Sequence, residues 1–267
     1  GLFRNPIVEP GLVGTSSGAA FGAAIVFVIA EKFSPEVKSM LGPFLMPVMA
    51  FLGGLTATFL VYSLARNSGR TSIMSILLVG IAVNAVCISG IGFMSYIARD
   101  PQARSITFFS LGYLSGASWL QVMILSAVAA IIFTVTLSYS KQLNALLLGE
   151  EEAAYLGVDT NKLKRRVLIL NTAMVAVATA FVGVISFVGL IVPHVLRLLI
   201  GSDNKKLLPA AILMGAALLT LADLAARLVL APAELPIGVV TSLVGAPVFI
   251  ILLKKFNILQ QKGGGNA

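Results

Sequence analysis

The chain has 267 residues, 58% of them hydrophobic and 11% charged, and carries a net charge of +8 at pH 7. A soluble domain is about 45–50% apolar and about 25% charged, and a water-soluble fold of this length could not place so much apolar surface inside one core. That excludes an ordinary soluble enzyme, a disordered chain and a secreted disulfide scaffold, the last also because Cys87 is the single cysteine.

Uncharged stretches long enough for a transmembrane helix, about 20 residues, run over 11–30, 43–65, 71–98, 118–140 and 235–253. A longer apolar stretch starts at Val167 and is interrupted only near Pro193 and His194, before Arg197. Another starts at Leu207, contains Asp223 and stops at Arg227. Lys and Arg concentrate in cytoplasmic loops of membrane proteins. If 167–200 holds two passes that break near Ser186–Gly189, fourteen of the 19 Lys and Arg lie inside; Lys32, Lys38, Arg99, Arg104 and Arg227 lie outside. A single pass would send Lys205, Lys206 and the C-terminal basic cluster to the other side. The expectation is an all-α, polytopic integral membrane protein with eight transmembrane helices and both chain ends cytoplasmic. Residues 1–257 form one transmembrane domain, with a cytoplasmic loop over 141–166 and a flexible tail over 258–267. No signal peptide is expected from the first residues.

The basic charge lies in short loops facing an anionic lipid surface, without interleaved aromatics, which points to membrane lipid and away from nucleic acid. Small residues recur at close-packing spacing, Gly18 and Gly22 first among them. No HExxH, GxSxG or P-loop pattern is present, so neither catalysis nor ATP hydrolysis is expected of this chain, and no metal site.

Three polar features remain. Asp223 and Arg227, four apart, share a helix face near the outer end of their span, as a local ion pair or an external docking charge. His194 and Arg197 share a face near the inner side, where a hydrogen-bonded histidine is favoured over a metal or haem ligand. The stretch Leu143–Val158 is amphipathic and too charged to span. Gly149 and Gly157 would divide it into two short helices, which either lie on headgroups or dock a cytoplasmic protein.

Four segments in order, RNPIVEPGLVGTSSGAA (4–20), LGEEEAAYLGV (148–158), GLIVPHVLRLLIGSDNKKLLPAA (189–211) and ADLAARLVLAPAELPIGVVTSLVGAPVFI (222–250), resemble the permease subunits of binding-protein-dependent ABC importers for iron chelates, haem and cobalamin. The resemblance covers essentially the whole chain. It implies a ten-helix subunit, of which the eight spans here correspond to the third through tenth; the first two are expected to be absent from this chain. It further implies a homodimer in the bacterial inner membrane, two ATPase subunits that carry ATP and magnesium, and an external substrate-binding protein. The permease itself would hold no cofactor.

By position, Gly149, Glu150, Ala153 and Gly157 fall in the segment resembling the family's ATPase-coupling helices. Arg227 matches an outer arginine that meets the binding protein, and Asn5 and Ile7 lie in the loop resembling a cytoplasmic gate. His194 sits in a sequence shared across different cargoes. The outer segment 100–119, aromatic and weakly basic, looks most like haem-type relatives. Haem is therefore the first choice of cargo, a ferric siderophore the second and cobalamin the third. An ion-driven secondary transporter is the competing class, but Asp223 is the one acidic residue inside a span and no inverted repeat is evident.

Overall fold

The structure is a computed structural model and describes residues 10–29, 35–67, 70–71, 73–231 and 233–263. The described chain is helical apart from a minimal antiparallel pair, β1 (Arg66–Asn67) and β2 (Arg70–Thr71). Two compact units divide the sequence at Val184 and Ile185, and each is described by itself.

The first unit contains α1 (Thr15–Ile29), α2 (Pro35–Ala65), α3 (Ile73–Ile97), α4 (Asp100–Leu111), α5 (Trp119–Ser138), α6 (Ser140–Leu148), α7 (Glu150–Tyr155) and α8 (Thr160–Val182). A short 3-10 turn, Pro10–Val13, leads into α1. Helix α1 lies against α2 along a seam of small residues. A Cβ added to Gly18 would collide with the Gly53 carbonyl and the Ala57 methyl, and one added to Gly22 with the Met49 carbonyl. The backbones therefore touch directly. Lipid is as apolar as leucine, so helices in a bilayer associate through such close packing and through hydrogen bonds; the buried Thr15 and Thr58 hydroxyls add one at 2.7 Å.

Helix α4 is not anticipated by the sequence, in which 100–119 reads as an outer segment. Pro101 stands in its first turn, where a missing N–H costs nothing. Ile106 and Phe109 are buried beneath it, and Arg104 lies 5.5 Å from the centre of the Phe108 ring on the other side. Ser118 and Gln121 form a reciprocal capping box that starts α5.

The break expected near Ser186–Gly189 begins earlier, at Gly183. Its φ of +74° ends α8, and a Cβ there would strike the Phe109 carbonyl, which instead accepts the Val184 N–H at 3.0 Å.

The second unit contains α9 (Val188–Ile200), α10 (Asn204–Val229) and α11 (Ile237–Gly263). Phe187, left-handed at φ +68°, precedes α9, and its side chain fills the space that a Cβ on Gly245 would need. Val192, Leu196 and Leu207 form the core between α9 and α10. Helix α11 runs on to Gly263, so helical backbone extends into the segment read as tail.

Among the described residues, five helices are long and apolar enough to cross a membrane: Phe44–Ala65, Met74–Ile97, Trp119–Ser138, Thr160–Val182 and Asn204–Val229. Three shorter apolar helices, Thr15–Ile29, Val188–Ile200 and Ile237–Ile251, fall where the remaining spans were expected.

Candidate functional site

Helices α6 and α7 and the first turns of α8 make a small folded element on the charged loop between two apolar helices. Leu143, Leu146, Ala153 and Leu163 are its buried residues, with Tyr139, Val158 and Val167 packed against them. Leu146 and Ala153 are fully buried. Burying a leucine side chain contributes about 1.5–3 kcal/mol, so this core can hold two helices that are too short to persist alone.

Gly157 determines how the element closes. Helix α7 ends in a double hydrogen-bond cap: the Gly157 N–H donates to the Ala154 carbonyl at 2.9 Å, and the Val158 N–H to the Ala153 carbonyl at 3.0 Å. This pattern requires a left-handed residue between them, and Gly157 has φ +78°. Val158 then folds back onto the core beside Ala153. Asp159 restarts the chain as the N-cap of α8, accepting the Lys162 N–H at 3.0 Å, while the Lys162 ammonium sits 3.0 Å from its other oxygen. Those two contacts, the backbone one foremost, hold the Asp159 carboxyl below its ordinary range. The basic run Lys162–Arg166 is thus part of a helix. Lys164 pairs with Glu150 at 2.5 Å and ties α8 to α7; the carboxylate is half exposed, so the pair contributes at most about 1 kcal/mol.

Of the four residues predicted here, Gly149 separates α6 from α7 and Gly157 closes α7, as the sequence implied, and Glu150 opens α7. Ala153 faces inward: its 0% exposure makes it a packing residue of the element. The outward apolar residues are others, Leu148, Tyr155 and Leu156, with Tyr155 90% exposed. The sequence reading missed them. The available signal was their place beside the two dividing glycines, where apolar residues have no span to join.

At the far end of α10, the Arg227 Nε donates to Asp223 Oδ2 at 2.8 Å, and both side chains are partly exposed. The Leu235 N–H reaches the Ala226 carbonyl at 3.2 Å, bringing the following turn back to this helix end. In α9, His194 Nδ1 donates to the Leu190 carbonyl at 2.7 Å. Among the described residues, no group of three or more His, Cys, Asp or Glu is arranged to hold a metal. Asn5 and Ile7 lie outside the described residues.

A family model described as the FecCD transport family matches residues 1–255. The chain belongs to that family. The haemin transport system permease protein HmuU of Yersinia pestis is 42% identical over 253 residues, covering 95% of this chain and 74% of that protein. The cobalamin import system permease protein BtuC of Halobacterium salinarum is 39% identical over 254 residues, covering 95% of this chain and 66% of that protein. A solved structure described as an inward-facing, provisionally assigned metal-chelate type ABC transporter superposes with a TM-score of 0.83 at 32% identity, covering 95% of this chain and 78% of the other. This FecCD-family chain is a membrane permease subunit of the ABC importer class and not an enzyme, since the family's ATPase is a separate subunit.

Proposed function

We propose that this permease carries an iron-containing chelate, haem first, from an external binding protein to the cytoplasm, driven by ATP hydrolysis on two separate ATPase subunits. The observation that carries the cargo choice is the 42% identity to a haemin permease. The 39% identity to a cobalamin permease supports cobalamin as the alternative, and a ferric siderophore is the third member of the same class. The five long and three short apolar helices serve as eight spans, with both ends cytoplasmic, in a bacterial inner membrane. Two copies enclose one pathway.

In this account the α6–α7 element docks to the ATPase. Leu148, Tyr155 and Leu156 supply apolar contact, Gly149 and Gly157 set the helix directions, Glu150 fixes α7 to α8, and Ala153 packs the element from within. Closure of the ATPase pair pushes a rigid body joined directly to α8. The push shifts the balance between outward and inward states only as far as nucleotide binds one state more tightly. Arg227, steadied by Asp223, meets an acidic residue of the binding protein, and Asn5 and Ile7 border the cytoplasmic constriction. A lining with few strong ligands suits transport, because a tightly held cargo would not leave.

The test is uptake into liposomes holding the full-length permease and its ATPase, with binding protein added and haemin, a ferric siderophore and cobalamin supplied in parallel. ATP-dependent accumulation of haemin is expected. Accumulation of cobalamin or siderophore without haemin would replace the cargo and keep the mechanism.

A further inference from the structure

Asn84 is a polar residue in the middle of an apolar helix, eleven residues into the 25-residue α3, or roughly 16 Å along it. An amide at that depth is costly unless its groups are paired. Its Nδ2 donates to the Gly11 carbonyl at 3.0 Å, and its Oδ1 accepts the Ser17 hydroxyl. The two partners stand on either side of the turn that begins α1. Non-helical backbone at membrane depth is tolerated only where protein buries it or where it borders water. The first condition holds here: Val13 is buried against Val61, Ile76 and Val83.

We propose that Asn84 is a positioning residue that clamps the Gly11–Ser17 turn to α3, so that the start of α1 and the middle of α3 move as one body. Its consequence for transport rests on the importer reading; the clamp does not. The test uses Val13→Cys in a Cys87→Ala background, in the full permease–ATPase complex in nanodiscs, and follows the labelling rate with a water-soluble maleimide. Asn84→Leu should raise that rate about three- to tenfold, the scale of one or two membrane hydrogen bonds, with the thermal midpoint unchanged. Thr136→Val removes a hydroxyl bond to the Ile132 carbonyl within α5, away from the turn, and should leave the rate as it was. If Asn84→Leu cannot be recovered, Ser17→Ala, which breaks one arm, should give a smaller rise. Unchanged labelling in Asn84→Leu, or in Ser17→Ala where it stands in, would overturn the clamp, as would an equal rise in Thr136→Val. The labelling needs neither cargo nor ATP, so its outcome is separable from failure of the importer reading.

Discussion

The α1–α2 seam and the α6–α7 element are held together by opposite means. The seam uses glycine and alanine at its contacts and brings backbone against backbone, and the buried residues of α1 are small. The loop element is built like a miniature soluble domain, with leucines inside and charges outside. In lipid, apolar area drives nothing together, so shape and hydrogen bonds decide; in water, burial of leucine does the work. Added bulk at a contact glycine should therefore damage the first region most, whereas the second is most sensitive to a polar group placed among its leucines.

The largest expected effect is at the seam. Gly18→Leu drives a side chain into the Gly53 carbonyl and forces two backbones apart, costing about 3 kcal/mol. Thermal unfolding in detergent should show a large drop or no folded permease, and a midpoint near that of the parent would contradict direct backbone packing. Next comes Gly157→Leu. There is open space around the Cβ, so the penalty is the left-handed backbone alone, about 1–2 kcal/mol. The permease should insert and melt nearly as before while ATP hydrolysis loses its coupling to uptake; Gly157→Asn, which tolerates that backbone better, should retain more. Normal uptake by Gly157→Leu would remove the docking role from α7.

Arg227→Glu should act on one partner only, slowing capture of the loaded binding protein severalfold at low salt and less at high salt. Unchanged capture at low salt would leave the Asp223 pair as a helix-end contact. The smallest effect is at Asp159. Its carboxyl titrates lower in the folded state than in an unfolded chain, so its contribution is present above about pH 4 and is lost as pH falls through the folded value. Hydrogen exchange over Thr160–Arg165, corrected for intrinsic rate, should rise below that point and should show no such step in Asp159→Asn, which keeps a capping oxygen.

Periodic apolar runs and charge placement made most of the helices legible, because a span is a one-dimensional property of sequence. The division at Gly149 and Gly157 was legible for a similar reason, since two glycines bracketing seven residues leave few alternatives. What stayed hidden depends on contacts distant in sequence. Nothing local marks Ala153 as inward; the core from Leu163 on the next helix decides that. Asn84 reads as one polar residue among apolar ones until Gly11 and Ser17 arrive beside it. Helix α4 was lost because its polar face disguised the buried pair Ile106 and Phe109.

The most direct test of the account is the paired substitution Tyr155→Asp with Leu156→Asp, two changes on a surface the element's own core does not use. Co-purification of the ATPase subunit and ATP-driven haemin uptake would be measured on the same membranes. The account predicts a permease that inserts and melts like the parent, retains little ATPase and accumulates no haemin. Full ATPase recovery with undiminished uptake would contradict it.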